Sequence, residues 1–178
     1  HYDLNINSKE TFILVNNWFM IFYLITVLIG TVYPIFTEVI TDHKISIGPP
    51  FYNTIIIPIV GIFLFFMALG PQTQWIKNKS YNLYLLLKIL IASILINIFI
   101  FYFFKNYSLL TNFIVISAFF LIISSLLDCY KLLKQKRMNS SRIVSHLAFG
   151  FLILFIGLNH SFSLEEDFNL KLGEKKIL

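Results

Sequence analysis

The feature that most constrains this chain is a series of uninterrupted apolar runs close to 20 residues long, at Trp18–Phe36, Tyr52–Leu69, Leu83–Phe104, Leu109–Leu127 and Ile143–Leu158. About 20 apolar residues in a helix span the ~30 Å hydrocarbon core of a bilayer. A helix also pairs its own backbone N–H and C=O groups, which hydrocarbon demands. Composition closes off the soluble alternative. Of 178 residues, 57% are hydrophobic, 13% are charged and 20 are Phe, whereas soluble domains run at about 45–50% apolar and about 25% charged. The expected fold is an all-α polytopic membrane protein of about five transmembrane helices with a short extra-membrane β-like C-terminal tail. Residues 1–17 are expected as a cytoplasmic N-terminal segment, 18–158 as the membrane domain, and 159–178 as the start of a β domain on the periplasmic or intermembrane-space side.

The tail carries its own pattern. Phe168, Leu170 and Leu172 alternate with Asn169 and Lys171, the period of a half-buried strand. Gly173-Glu174 reads as a turn and Ile177-Leu178 as the start of a second strand. A single strand is not stable alone, and the chain opens on His1 rather than Met. The first feature predicts a piece of a longer protein, and the second either a processed product or such a piece.

Basic residues set the expected orientation. With the N-terminus cytoplasmic, Lys9, Lys77, Lys79, Lys131, Lys134, Lys136, Arg137 and Arg142 fall on the cytoplasmic side. Lys44, Lys105, Lys171, Lys175 and Lys176 fall on the other. The densest run, Lys131 to Arg142, decides the topology, because cytoplasmic loops carry the excess of Lys and Arg. The C-terminus is then on the outer face. The net charge of +5 is explained by membrane-flanking bases and lipid headgroups, and nucleic acid is not an expected partner. Lys88, two turns inside the third run, can snorkel to the headgroups. Asn97 and Asn112 are expected to hydrogen-bond between helices.

Few residues can carry chemistry. The single Cys129 can form neither an internal disulfide nor a metal cluster, and no phosphate loop, zinc spacing or hydrolase elbow is present. Of the four histidines, His1 is terminal, His43 lies in the first outer loop and His160 lies just past the fifth run. Only His146 is inside an apolar run, in Ser145-His146-Leu147-Ala148-Phe149-Gly150. An ionisable side chain there is a functional candidate by default. On a helix it shares a side with Phe149, Gly150, Ile153 and Gly157. Small residues in that stripe let either a flat macrocycle or a neighbouring helix come close. Two roles therefore fit His146: an axial ligand of haem iron, or a hydrogen-bonding residue at a helix interface. His160 is fourteen residues further on, about 21 Å at helical rise, so the two cannot bind one iron if the helix continues. A second axial ligand must come from outside this chain.

The first outer loop is the densest motif. It runs from Gly30-Thr31-Val32-Tyr33-Pro34 to Lys44-Ile45-Ser46-Ile47-Gly48-Pro49-Pro50-Phe51-Tyr52-Asn53. Gly-Pro-Pro enforces a stiff turn, blocks helix at Gly48 and delays the second span.

Three phrases together resemble a known family. The stretch from Gly30 to Ile59 is similar to the segment of CcmF/NrfE-type cytochrome c biogenesis proteins that reads GT-x-YP…KIS-x-GPP-x-[FY]-N. Ala68–Trp75 (ALGPQTQW) resembles the family's G-x-GP…W. The stretch from Ser145 to Glu174 resembles its HLG-x-A helix followed by an S-x-E-x-D strand entry, with Ala148 in place of the usual Gly. The resemblance implies a component of a haem lyase, which joins haem vinyl groups to the CxxCH thiols of apocytochrome c as thioethers. It implies a haem b held between two histidines on different helices, with His146 as one axial ligand to the iron. It also implies that the loop Lys44–Asn53 supports an outer haem platform. The implied partners are a haem-carrying chaperone, apocytochrome c, other maturation proteins, membrane lipid and the missing N-terminal part. The implied location is a bacterial or mitochondrial inner membrane, crossed several times. The family's tryptophan-rich WWD motif, the histidines flanking it and the other membrane histidine have no counterpart here, so the lyase is expected to be incomplete in this chain. His43 and His160 match no family ligand. The competing reading is a non-catalytic membrane scaffold or transporter subunit.

Overall fold

The structure is a computed structural model, and it describes residues 9–41, 45, 47–72, 83–103, 108–136 and 140–162. These form five long helices: α1 (Lys9–Thr41), α2 (Pro49–Leu69), α3 (Leu83–Phe103), α4 (Leu109–Lys134) and α5 (Ser140–Phe162), with a 3₁₀ turn at Gly70–Gln72 after α2. All five are long and apolar enough to cross a membrane, so the chain is a polytopic all-α membrane protein. The expected β-like tail beyond Phe162, and His1 and His43, lie outside the described residues.

The helix ends show what the apolar runs left out. The first helix extends well beyond Trp18–Phe36 in both directions, reaching Lys9 and Thr41. At 1.5 Å per residue its 33 residues measure about 50 Å, well over the ~30 Å hydrocarbon core. Pro34 sits inside it. The missing N–H leaves the Gly30 carbonyl without its usual helical donor, and the helix continues all the same. The second helix begins three residues earlier than the sequence predicts, because Gly-Pro-Pro starts the helix instead of delaying it. Gly48 is the N-cap, in extended geometry at φ −92°, and Pro49 and Pro50 take the first helical positions, where a missing N–H costs nothing. The fourth helix is capped by Ser108, whose hydroxyl accepts from the Thr111 N–H at 3.2 Å. It runs on to Lys134, seven residues past the apolar run.

α4 is the hub. Of its apolar window 56% is buried, against 11% to 22% for the other four helices. It packs on α2, α3 and α5, while α1 packs on α2 and the turn after it. Lipid tails are as apolar as side chains, so helix association in a membrane depends on close packing and polar contacts. The inward faces supply both. Ser117, Ala118, Ser124 and Ser125 are buried on α4. The Ser124 hydroxyl donates across to the Ala68 carbonyl of α2 at 3.2 Å. The ring of Phe113 fills the notch at Gly61, Ile122 that at Gly150 and Ile114 that at Gly157. The expected polar contact on α3 is also present: the Asn97 amide donates to Asn112 Oδ1 at 3.0 Å. Lys88 is exposed, with its ammonium 4.3 Å from the centre of the Tyr84 ring, one turn towards the start of α3.

Candidate functional site

α1 and α5 flank a groove whose floor is α2. At one end of the bundle the groove holds a cleft of about 200 Å³, lined among others by Phe12, Asn16, Phe66, Met67, Arg142 and His146. Towards the other end it widens into a cavity of about 550 Å³, whose walls include Phe19, Tyr52, Asn53, Phe149, Ile153 and Gly157. Phe63 borders both. A ladder of rings runs along the groove. Phe12 lies 6.0 Å from Phe66, Phe66 lies 5.9 Å from Phe19, Phe19 lies 5.2 Å from Phe63, and Phe63 lies 6.0 Å from Phe149, centroid to centroid.

His146 is half-buried on the wall of the smaller cleft. The helical turn before it places Arg142 on the same wall. Arg142 donates from Nη2 to Asp128 Oδ2 of α4 at 2.5 Å, and both side chains are partly shielded, at 30% and 19% exposure. An ion pair in this setting is screened less than a surface pair. It also fixes the rotation of α5 at the turn that carries His146. Arg142 Nε is buried with no hydrogen-bond partner among the described residues. The cleft therefore combines one imidazole, one thioether, one paired guanidinium and walls of aromatic rings.

The stripe expected around His146 divides. Ile143, Gly150, Leu154 and Gly157 are buried, and the two glycines receive Ile122 and Ile114 of α4. The small residues of α5 thus admit a neighbouring helix. His146, Phe149 and Ile153 face the groove, and Gly157 borders the larger cavity as well as Ile114 of α4. His160 is on the last turn of the same unbroken helix, so the axial separation expected between it and His146 holds.

The donor chemistry of the cleft fits one face of a haem site. The neutral imidazole is an iron ligand of the usual kind, the rings suit a porphyrin face, and the cation suits carboxylates. At about 200 Å³ the cleft is smaller than the ~300–1,000 Å³ of a complete small-molecule pocket. The described residues therefore provide one wall and one histidine. Sequence reasoning missed Asp128, Asn16 and Met67. Asp128 is the lone acid of α4 and could have been flagged, since an acid at the edge of a span needs a partner. Asn16 and Phe12 lie in the stretch read as a segment before the first span. Met67 is indistinguishable in sequence from any other apolar residue of α2.

The phrases that carry the family resemblance meet along the groove. Gly70 and Pro71, from Ala68–Trp75, line the same cleft as His146. Tyr52 and Asn53, from the first phrase, line the larger cavity together with Gly157 from the last. Comparison with known proteins points the same way. The chain is 25% identical over 182 aligned positions, 94% of its length, to the cytochrome c-type biogenesis protein CcmF of Haemophilus influenzae. It is 23% identical over 173 positions, again 94% of its length, to CcmF of Escherichia coli. A shorter stretch of 71 residues, 40% of the chain, is 35% identical to CcmF of Pseudomonas fluorescens. The chain spans 28%, 27% and 11% of the length of these three relatives. No family model matches it, and no solved structure does.

Proposed function

From the premise that the chain is a homologue of CcmF cytochrome c-type biogenesis proteins along nearly its whole length and of a CycK protein over 38% of it, we propose that it works in cytochrome c maturation as part of a haem lyase, with His146 as an axial ligand to a haem b. The observation that carries this reading is the placement of His146. It is the one histidine within the membrane-spanning part of α5, and it faces a ring-lined cleft that also contains the Gly70-Pro71 phrase.

In this reading the chain's own residues have separate tasks. His146 donates its ring nitrogen. Phe12, Phe63 and Phe66 keep water from the metal side and lower the local dielectric, which together with ligand type sets the reduction potential of a bound haem. Arg142 offers a cation for carboxylates while Asp128 holds it in place. The bound group would supply electron transfer. The second axial donor and the surface that meets apocytochrome c and a haem-carrying chaperone belong to protein outside these residues. With the basic Lys131–Arg142 stretch on the cytoplasmic side of a bacterial or mitochondrial inner membrane, the His146 cleft lies near the cytoplasmic leaflet and the C-terminus lies outside.

The test is spectroscopic. The assembled maturation complex is purified with this chain in wild-type form and as His146→Ala, and reduced-minus-oxidised spectra and pyridine haemochromes are recorded. Loss of the b-type α band in the variant, at unchanged assembly, is the expected result. An unaltered spectrum, or a wild-type complex lacking haem b, would leave the chain as a membrane scaffold in the same pathway.

A further inference from the structure

The ion pair between α4 and α5 has a direction. Arg142 lines the His146 cleft, and it is the one residue with a formal charge among those that do. Asp128 stands behind it on α4, outside the lining of the cleft, and accepts from Nη2. Seen from the cleft, the positive end of the pair is in front and the negative end behind. Asp128 is also the one hydrogen-bond partner of the guanidinium among the described residues, since Nε is buried with none. Without that carboxylate, nothing described here fixes where the cation stands. His146 follows Arg142 by one helical turn, about 6 Å along the axis. A group bound at the imidazole is therefore nearer to the cation than to the anion. Both side chains are largely shielded from solvent, so their fields are screened little by salt. The rings of Phe12, Phe63 and Phe66 on the same cleft lower the local dielectric, and charges act further there than in water.

We propose that Asp128 is a positioning residue for the His146 site: it holds the Arg142 guanidinium on the cleft wall, and the two charges together set the reduction potential of the haem bound at His146. This inference rests on the proposed ligation of haem b by His146. Reduction adds one electron at the iron. A cation beside the site favours the reduced form, and the anion behind that cation opposes it. The two side chains thus act on one quantity with opposite signs. A unit charge about 10 Å away, across an effective dielectric of about 20, changes a one-electron equilibrium by roughly tenfold. Asp128 lies behind Arg142, so its effect is the smaller of the two.

The experiment is a redox titration of the assembled complex, following the b-type α band that His146→Ala removes. Arg142→Gln should shift the equilibrium roughly tenfold towards the oxidised form, a fall of about 59 mV for one electron. Asp128→Asn should shift it severalfold the other way. The swapped variant Asp128→Arg with Arg142→Asp keeps an ion pair but reverses its direction, and should bring the potential below that of the wild type. It also decides the question if a single variant fails to assemble. Shifts of the same sign in both single variants would mean only that the cleft has loosened. Such a result, an unmoved potential, or a swapped variant at or above the wild-type value overturns the proposal while leaving His146 as the haem ligand. A wild-type complex without haem b, or a band that survives His146→Ala, overturns both.

Discussion

The ring of Tyr52, in the first turn of α2, occupies the space that a side chain at position 30 of α1 would need. Gly30 is thus required by close approach between two antiparallel helices. Two parts of one sequence motif, on either side of Pro34, are in van der Waals contact across the α1–α2 interface. Replacing Gly30 with Ala forces the phenol to move and should destabilise the helical hairpin by about 1–3 kcal/mol, the usual cost of overpacking. In a double-mutant cycle, Tyr52→Ala should recover most of that loss. Unfolding of the purified complex by graded detergent denaturation measures both.

Gly150 separates two readings of α5. A side chain there would meet Ile122 of α4 at 2.8 Å, not the contents of the groove. Gly150→Ala should therefore cost about 1 kcal/mol or more in stability through the α4–α5 interface, and Ile122→Ala should relieve it. The b-type haem spectrum proposed for the complex should not change. A shifted Soret band in Gly150→Ala at unaltered stability would mean that this face does meet the macrocycle.

The Asp128–Arg142 pair is the one ion pair between helices among the described residues. Asp128→Asn leaves a shielded guanidinium without its counter-charge. The cost should be about 1–3 kcal/mol, less than for a fully buried pair. The charge-swapped double variant Asp128→Arg with Arg142→Asp should restore part of it. Thermal unfolding of the complex checks the order wild type, swap, single variant.

Met67 brings a thioether to the cleft that holds His146. If the second axial donor comes from outside this chain, Met67→Leu should leave the absorption spectrum as it is, because Leu and Met are nearly equal in volume. A changed α band would instead place that donor on α2.

Asn97 and Asn112 join α3 to the hub through a single amide contact at 3.0 Å. Asn97→Leu should weaken this contact by about 0.6 kcal/mol and no more than about 1.7, the measured range for such bonds between membrane helices. The loss should appear as lower resistance to detergent denaturation, with the α4–α5 pairing intact.

What was legible in the sequence depends on how far each feature is set by its own residues. The five spans were readable because bilayer thickness imposes a minimum apolar length on each helix separately, and α3 matches to within one residue. The Asn97–Asn112 contact was readable because polar side chains at lipid depth have few alternatives to each other. The extensions of α1 back to Lys9 and of α4 on to Lys134 were not. Polar residues such as Asn16 and Lys131 end an apolar run without ending a helix. The start of α2 was misread because Gly-Pro-Pro breaks a helix from within yet begins one at its N-terminus. The groove could not be read at all: His146, Gly70, Phe12 and Met67 come together only because α1 packs on α2 while α2 and α5 both pack on α4. The one sequence hint was that three separate phrases resembled one family, without indicating that they meet.

The order of synthesis gives the hub a temporal meaning. α4 leaves the ribosome after α1, α2 and α3, and α2 and α3 reach one another chiefly through it. Until the chain from Ser108 onward is inserted, the α1–α2 hairpin and α3 lack the helix that joins them, and the faces of Gly61 and Ala68 lack their α4 neighbours. A chain interrupted before Lys134 would present those small-residue notches to any passing helix, and quality-control proteases would meet it as an orphan rather than as a shorter version of the same fold.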